Sequence, residues 1–529
     1  MKNLFVTFLF SILICLSGQS AFKYRIWLSD KGDTPYSLEY PEAYLSEKAI
    51  ERREKQNISV DSTDFPVSPV YIDRIKDTGL KILVTSRWLN TVTVYSEEGK
   101  EADALQKLPF IDKVECVWRD DLENPVLRKS RYMEKTESSS YGVSYEQIAL
   151  HNGDKLHTAG YTGSGMTIAV IDAGFQNVDM NRTFDQARIK GTRDFVTGVF
   201  DYRNSDKHGA QVLSAMLSCW EGMYMGTAPG ADYWLLRSED NDSEFPVEED
   251  YWTAAIEYAD SVGVDIVTSS LGYYTFDDTS MNHCWDELDG RTAYISKAAG
   301  IGASKGLLIF SSAGNEGSSL WRKITFPADV ESVITVGAIS RNLRPAYFTG
   351  VGFCQDGRVK PDVTGIGDQT FLISPGGAIV TESGTSFSTP IIAGLSACLW
   401  QALPHLSASE MRDVIRKSGS TYSAPDSLRG YGVPDFYQAY VASGTEEIGA
   451  DIPEVQCYDS GNKLTFVLKN WKHSGNVRLG LYSPDGRNRC VALFHDNSLS
   501  VSSAVVPPGI YMWAVWDDLN KVQGKIIKR

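Results

Sequence analysis

The chain has 529 residues, of which 42% are apolar and 22% are charged, so it is long enough for roughly three or four domains and is not intrinsically disordered. Its formal net charge of −16 excludes a generic basic surface for nucleic acid. The charge is uneven, because residues 141–445 hold 36 acidic and 21 basic residues, whereas residues 446–529 hold 9 and 10.

Residues 1–21 predict a secretory signal peptide. Lys2 precedes an apolar run from Leu4 to Leu16, and the small and polar residues up to Ala21 complete the pattern. The run is about 13 residues long, which is too short for a bilayer that takes roughly 20. A buried N-terminal strand is the alternative. Since no later segment is apolar enough to span, we expect an exported mature chain, secreted or at the cell surface, without a membrane span.

Residues 22–140 predict a small α+β domain followed by a linker. Short apolar runs alternate with polar turns, which favours strands at Lys81–Val84, Leu89–Tyr95 and Val114–Trp118, and a helical pattern covers Ala102–Leu108. The stretch from Asp120 to Tyr141 is charged, rich in serine and without apolar periodicity. It is therefore interpreted as an exposed linker.

Residues 141–443 predict an α/β domain built on a parallel sheet, because strand-like apolar runs alternate with helix-like runs. The predicted strands are Met166–Ile171, Asp265–Ser269, Leu307–Ser312 and Val333–Val336. A second polar linker, residues 444–454, precedes residues 455–529. There the alternating pattern at Leu464–Leu468 and Val477–Leu481, with a turn at Pro484–Gly486, predicts a small β-sandwich.

Two residues with catalytic chemistry stand at predicted element boundaries in the central domain. Asp172 follows the predicted strand Met166–Ile171, and functional groups collect at the carboxyl ends of strands in open α/β sheets. Capping of a helix or turn is the alternative role for such an aspartate. His208 opens a helical pattern, and Gly209 behind it allows close backbone packing. Taken alone, a histidine of this kind is more often structural.

Two further motifs complement the first two. Ser386 lies in Gly384–Pro390, a small-residue turn before an apolar helix, where the helix N-terminus stabilises negative charge. A serine helix cap is the alternative. Asn315 follows the predicted strand Leu307–Ser312 in a glycine-flanked turn, where an amide can donate to an oxyanion. The chain order is Asp172, His208, Ser386, which is the order of subtilisin and differs from that of α/β-hydrolases.

Together these motifs resemble the subtilisin-like (subtilase) serine peptidases over about residues 142–443. The matching segments are Val170–Gly174, His208–Ala210, Ala313–Gly317 and Gly384–Pro390, with support from Gly226–Pro229, Ser270–Gly272 and Lys360–Val363. The resemblance implies that Asp172 orients His208, which acts as base and then as acid. It also implies that Ser386 attacks the substrate, while Asn315 and the Ser386 N–H hold the oxyanion. Ala173 and Ala210 stand where the family usually has Ser or Thr. We expect these two differences to affect the fine tuning of the site and not its activity.

The resemblance also implies a pocket for the substrate residue before the scissile bond. Its walls would be Ser270, Leu271 and Gly272, then Ser312, Ala313 and Gly314, then Thr325, Phe326 and Pro327. The glycines at the strand edges would let a substrate backbone pair in β fashion. Thr325 and Tyr273 would narrow the pocket, and Glu316 at its rim would favour a basic residue. We therefore expect broad cleavage with a mild preference for medium apolar or basic residues.

The flanking regions resemble those of secreted zymogens. Residues 22 to about 120, through Arg87–Asn90 and Lys107–Trp118, resemble the inhibitory propeptides of Bacteroidetes-type members, which implies a prodomain that inhibits its own enzyme. The tail, through Pro507–Tyr511 and Lys525–Arg529, resembles C-terminal sorting domains of type IX secretion, which implies secretion machinery as a partner. An accessory β-domain that binds polysaccharide or protein is the alternative for the tail.

No cofactor is predicted. The sequence has no zinc, nucleotide or flavin motif, and the seven cysteines after the predicted signal form no CxxC pair. The segment Glu239–Glu244 is rich in oxygen ligands, and calcium would suit it. It lacks the spacing and glycine turn of a twelve-residue calcium loop, so a solvated acidic loop is the favoured interpretation.

Two hypotheses of different class follow. The first is a secreted serine endopeptidase, made as a zymogen, that cleaves polypeptides through an acyl-enzyme and removes its own prodomain at the first linker. The second is a catalytically silent surface or adhesion protein that uses the same scaffold. A silent protein should have lost at least one of the four motif residues. Because all four are present, the sequence favours the enzyme.

Overall fold

The structure is a computed structural model. It describes residues 21–97, 99, 102–105, 107–120, 141–444 and 454–528, except for 461, 462, 470, 472–475, 485, 486, 495, 503, 505 and 518–520 in the last range. The predicted signal peptide, most of both predicted linkers and part of the Pro484–Gly486 turn lie outside the described residues. The chain divides into two compact units between Tyr440 and Val441. Among the described residues, no helix has the length and apolar character needed to cross a bilayer.

The N-terminal part of the first unit is the predicted small α+β fold. Its elements are β1 (Phe22–Leu28), α1 (Glu47–Lys55), α2 (Pro69–Lys76), β2 (Lys81–Ser86), β3 (Thr91–Ser96), α3 (Ala102–Leu105) and β4 (Ile111–Arg119). The strands form an antiparallel sheet in the order β2-β3-β1-β4. Two helices, α1 and α2, were not predicted. Ser46 begins α1 as an N-cap, with its side chain accepting the Ala49 N–H.

The rest of the first unit is the predicted parallel-sheet α/β fold. Its helices are α4 (Tyr145–Ala149), α5 (Gly153–Thr158), α6 (His208–Leu217), α7 (Val247–Ser261), α8 (Tyr294–Ser304), α9 (Thr385–Ala402), α10 (Ala408–Lys417) and α11 (Phe436–Gly444). Its strands are β5 (Thr167–Asp172), β6 (Ile189–Asp194), β7 (Cys219–Trp220), β8 (Tyr224–Met225), β9 (Asp232–Arg237), β10 (Ile266–Ser269), β11 (Leu308–Ser312), β12 (Ile334–Ile339), β13 (Val363–Ile366), β14 (Thr370–Ile373) and β15 (Ile379–Glu382). The four predicted strands, observed as β5, β10, β11 and β12, each begin one residue later than expected.

Seven of these strands form one parallel sheet in the order β13-β12-β11-β10-β5-β9-β6. Strand β5 is buried along its whole length because helices cover both faces of the sheet. Ile168 and Val170 join the apolar cluster that includes α6 and α9, whereas Ala169 and Ile171 join the one that includes α7 and α8. The sheet order places the carboxyl ends of β5, β10 and β11 side by side at one edge.

The N-terminal fold packs on α7 through buried ionic contacts. Asp260 accepts hydrogen bonds from three arginines, Arg52 at 2.5 Å and Arg53 and Arg87 at 2.7 Å each. Glu257 accepts the backbone N–H groups of Arg87 and Trp88 together with the Ser86 hydroxyl. These side chains lie far apart in sequence, so the contacts tie residues 22–119 to the α/β fold.

The second unit contains two antiparallel sheets, as the predicted β-sandwich requires. Its strands are β16 (Glu454–Asp459), β17 (Lys463–Lys469), β18 (Arg478–Tyr482), β19 (Asn488–Leu493), β20 (Ser498–Ser502), β21 (Gly509–Trp516) and β22 (Lys521–Lys528). The sheet orders are β16-β17-β20 and β19-β18-β21-β22. Phe466 of one sheet meets Trp513 of the other with ring centroids 5.9 Å apart, inside a shared apolar core.

Candidate active site

Asp172 and His208 form a hydrogen-bonded pair at the carboxyl edge of the parallel sheet. Asp172 is the last residue of β5, and His208 is the first residue of α6. Asp172 Oδ1 lies 2.7 Å from His208 Nδ1 and also accepts the Ala173 N–H at 2.8 Å. The carboxylate is fully buried, whereas 29% of the imidazole side chain is exposed. A fixed carboxylate behind a half-exposed imidazole orients the ring and leaves its other nitrogen for chemistry.

The electrostatics of the pair favour a charged imidazole. Burial is the largest influence on His208 and opposes its charged form, but the charge and hydrogen bond of Asp172, with the charge of Asp206, outweigh it and raise the pKa of His208 above 6.5. A base of this pKa takes up a proton readily near neutral pH.

Gly209 makes the close approach of α6 to β5 possible. A Cβ at this position would lie 2.4 Å from the Gly174 carbonyl oxygen and 2.9 Å from Asp172 Cβ, so any side chain would push the helix away. Asp172 Oδ2 is buried and has no hydrogen-bond partner among the described residues. The side chain of its neighbour Ala173 cannot donate one. The carboxylate is therefore held through one oxygen.

Ser386 lies in the first turn of α9, as predicted. Its backbone N–H has no helical acceptor at that position, because it belongs to the first turn of the helix. The hydroxyl donates to the Ser270 carbonyl oxygen at 3.2 Å, and the Ser270 hydroxyl donates to the Ser386 carbonyl oxygen at 2.8 Å. The next residue, Phe387, packs near the imidazole, with ring centroids 5.6 Å apart. In this arrangement the Ser386 hydroxyl is not hydrogen-bonded to His208. Such bonds often form only with substrate present.

Asn315 is exposed beside the start of α9. Its Oδ1 accepts the Thr385 N–H at 2.9 Å and the Thr385 hydroxyl at 3.1 Å, which orients the amide. Among the described residues, Asn315 Nδ2 donates to no hydrogen-bond acceptor. A Cβ on Gly384 would lie 3.7 Å from that nitrogen, so Nδ2 sits next to the turn that carries Ser386. The Asn315 amide thus lies beside the turn that carries Ser386.

The predicted pocket residues also meet at this edge. Ser270, Leu271, Ser312, Ala313 and Phe326 are buried, and the tightest packing surrounds the two glycines. A Cβ on Gly272 would lie 2.1 Å from Thr325 Oγ1, and one on Gly314, whose φ is +85°, would lie 2.8 Å from Thr325 Cγ2. Thr325 therefore packs directly against both glycines.

Phe326 and Glu316 do not simply line a pocket, because each side chain contacts a partner of its own. The Phe326 ring is fully buried and packs on His283 with centroids 4.4 Å apart, so it supports the pocket from behind. Glu316 accepts a hydrogen bond of 2.8 Å from the Tyr274 hydroxyl. Sequence reasoning missed His283, which lies 2.9 Å from Glu249 Oε1 and 2.8 Å from Glu287 Oε2. In the sequence, His283 stands beside Cys284 and Trp285, and these neighbours gave no indication that two glutamates contact it.

Two family models match the chain. The one described as Subtilase family covers residues 163–432, and the one described as Peptidase S8 propeptide domain, Bacteroidota, covers residues 23–136. Subtilisin NAT of Bacillus subtilis subsp. natto and Subtilisin E of Bacillus subtilis (strain 168) are each 27% identical over 364 residues, which is 68% of this chain and 83% of theirs. A solved structure of MycP1 from Mycobacterium smegmatis aligns with 58% of this chain and 86% of its own, at 19% identity and a TM-score of 0.46. Because the subtilase match covers more than half of the residues, this chain belongs to the subtilase family and carries a propeptide domain of the Bacteroidota type.

Proposed function

We propose that this chain is a secreted serine endopeptidase, made as a zymogen, that hydrolyses peptide bonds through an acyl-enzyme. The observation that carries the proposal is the buried Asp172 carboxylate held against His208 at the sheet edge where α9 presents Ser386. Family membership supports the reaction class. A serine nucleophile, an oriented imidazole and two oxyanion donors are the complete set that acyl transfer to a hydroxyl needs.

In the proposed reaction, the Ser386 hydroxyl turns from the Ser270 carbonyl to His208 Nε2, which takes its proton as Oγ attacks the substrate carbonyl. The tetrahedral oxyanion receives hydrogen bonds from Asn315 Nδ2 and the Ser386 N–H. His208 then protonates the leaving amine, and the acyl-enzyme remains. Water attacks the ester in the second half, with the same imidazole as base. Asp172 stabilises the imidazolium at each stage.

We assign the substrate pocket to the region around Ser270, Gly272, Ser312 and Gly314. The buried Thr325 supports a pocket of limited depth, because its side chain fills the space next to both glycines. The Tyr274 hydroxyl donates a hydrogen bond to Glu316, which occupies one of its carboxylate oxygens. We therefore propose broad cleavage after medium apolar residues, with basic residues tolerated. A peptide library that shows strict acidic preference would reject this assignment.

The proposed zymogen is matured by its own active site. Residues 22–119 bury three arginines against Asp260, which supports a folded prodomain that stays bound until it is cut. Cleavage is assigned to the linker from Asp120 to Tyr141, and the tail is proposed to leave at residues 444–454. The Bacteroidota-type propeptide match supports export of the precursor. Residues 1–21 are proposed as its signal peptide and residues 455–529 as a sorting domain.

The test compares the parent precursor with its Ser386→Ala variant. The parent should hydrolyse a peptide library and show a new N-terminus between residues 120 and 141. The rate of hydrolysis should fall in the variant by a factor on the order of 10⁶, which is the cost of removing the nucleophile of such a triad. The variant should also keep residues 22–120 attached. Ser396→Ala, which removes a buried hydroxyl from the same helix, is the matched control and should behave like the parent. Equal hydrolysis by parent and Ser386→Ala protein would reject Ser386 as the nucleophile, and absence of hydrolysis by the parent would favour the catalytically silent scaffold.

A further inference from the structure

We propose that Glu239, Glu244 and Glu248 form a Ca²⁺ site in the loop between β9 and α7. One carboxylate oxygen from each of the three residues lies within 4.8 Å of the others. Calcium binds oxygen at about 2.3–2.6 Å, so two ligands on opposite sides of one ion are roughly 4.6–5.2 Å apart. The three carboxylates are thus already spaced as ligands of a single ion.

The burial of Glu248 points to a ligand at this cluster. Its side chain is 0% exposed, although sequence reasoning had favoured a solvated acidic loop at the preceding segment, Glu239–Glu244. Glu248 Oε1 accepts the Asp240 N–H at 2.6 Å, whereas Oε2 is buried without a hydrogen-bond partner among the described residues. A buried carboxylate oxygen without a donor is costly unless a cation or a proton neutralises it.

A second buried oxygen lies near the acidic loop. The Tyr273 hydroxyl is buried and has no hydrogen-bond partner among the described residues. Burial is the largest cause that raises the pKa of Tyr273 well above its usual range, and the charges of Glu239, Glu248 and Glu244 add to it. An ion with two positive charges would offset the negative charge of these carboxylates.

Lys23 places the ammonium of the N-terminal part near the acidic loop. Lys23 Nζ lies 4.0 Å from Asp240 Oδ2, and the charge of Glu248 also acts on it. Burial is the largest influence on this ammonium and lowers its pKa. Lys23 belongs to β1 of the prodomain, so under the proposed maturation it leaves the acidic loop when the prodomain is removed.

A bound ion would stiffen the wall of the active-site edge. The backbone of Glu244 exchanges hydrogen bonds with Asp277, whose N–H donates to the Glu244 carbonyl at 2.9 Å and whose side chain accepts the Glu244 N–H at 3.0 Å. Tyr273 directly follows the pocket segment Ser270–Gly272. The inferred ion therefore connects the loop after β9 to the residues next to the pocket.

The test measures ⁴⁵Ca²⁺ binding by equilibrium dialysis on the full-length Ser386→Ala precursor, which cannot cut itself under the proposed mechanism. We expect the Glu248→Gln variant to bind one Ca²⁺ fewer, or to bind it more weakly by at least the roughly 10- to 100-fold that loss of an outer-shell partner costs. Glu221→Gln, at an exposed glutamate of the same fold, is the matched control and should bind like the parent. Absence of bound Ca²⁺, or equal affinity and stoichiometry in the Glu248→Gln protein, would overturn the site.

Thermal unfolding gives an independent readout, because adding Ca²⁺ should change which of the two proteins, parent or Glu248→Gln, unfolds at the higher temperature. Without Ca²⁺, the Glu248→Gln protein should unfold at the same temperature as the parent or higher, since the substitution removes like-charge repulsion. With Ca²⁺, the parent alone should gain stability. Glu244→Gln, at a half-buried position, should lose the same gain and covers the case in which the buried substitution prevents folding. A Ca²⁺-dependent shift of equal size in parent and variants would contradict the proposal.

Discussion

The Ser270 hydroxyl donates to the Ser386 carbonyl oxygen at 2.8 Å, and the Ser386 hydroxyl donates back to the Ser270 carbonyl oxygen at 3.2 Å. This exchange connects the residue after β10 to the first turn of α9. It ties the backbone and the hydroxyl of the proposed nucleophile, Ser386, to Ser270.

Ser270→Ala should therefore weaken catalysis without abolishing it. The substitution removes one hydrogen bond worth about 1 kcal/mol, so we expect kcat to fall about fivefold while KM changes little. Steady-state kinetics on matured enzyme measures this effect. Ser304→Ala, at an exposed serine of α8, is the control. A kcat equal to that of the parent would show that the exchange does not position the nucleophile.

Asp172→Asn should reduce the rate and move its pH dependence. Neutral His208 is the proposed base, so kcat/KM should rise as pH increases through the pKa of His208, which Asp172 holds above 6.5. In the variant the pKa of His208 falls, so the rise of kcat/KM should move to lower pH. We also expect kcat to drop by about 10⁴-fold, because the imidazole loses its orienting partner. Profiles of kcat/KM from pH 5 to 10 test both effects. Maximal parent activity near pH 4, or an unshifted rise in the variant, would contradict the assignment.

Asp260→Asn should destabilise the precursor more than the mature enzyme. In the precursor Asp260 neutralises Arg52, Arg53 and Arg87, and loss of a buried partner costs about 3–5 kcal/mol. After maturation those arginines are gone, so the same substitution should cost less than half as much. Unfolding free energies are compared for the Ser386→Ala precursor and the active-site-blocked mature chain. Asp413→Asn, on the exposed side of α10, is the control. An equal cost in both forms would argue against Asp260 as an anchor for the prodomain.

His283 should stabilise the fold most strongly below pH 6.5. Burial opposes its charge, but Glu249 and Glu287 raise the pKa of His283 to about 10. Because this folded pKa exceeds the unfolded value of about 6.5, the contribution is complete below pH 6.5 and disappears as pH rises towards 10. His283→Gln should cost about 3 kcal/mol at pH 6 and little above pH 10. Denaturant unfolding of the Ser386→Ala precursor measures this, with exposed His405→Gln as control. A difference that stays constant with pH would refute it.

Sequence patterns predicted the parallel sheet and the four motif residues because each lies at a boundary marked by glycine or small residues. Asp172 ends an all-apolar strand, and Ser386 follows Gly384 into an apolar helix. Such boundaries are local, so a single sequence shows them. The reciprocal bonds between Ser270 and Ser386 could not be predicted, since they depend on how β10 and α9 meet in space.

The long-range charge contacts were equally hidden from sequence. Asp260 lies in α7 among ordinary helix residues, and its three arginine partners are more than 170 positions away. Glu248 follows the acidic segment Glu239–Glu244, for which the sequence favoured solvent exposure, yet Glu248 lies in α7 and is buried. Helices α1 and α2 escaped prediction because charged residues dominate α1 and both are short.

The central claim is that Ser386 is the nucleophile, and a fluorophosphonate probe tests it most directly. Mature protein is labelled, digested and mapped by mass spectrometry. We expect a single phosphonyl adduct on Ser386. This adduct should be absent from the Ser386→Ala protein and should form far more slowly in the His208→Ala protein. No adduct on the parent protein, or labelling that survives Ser386→Ala, would contradict it.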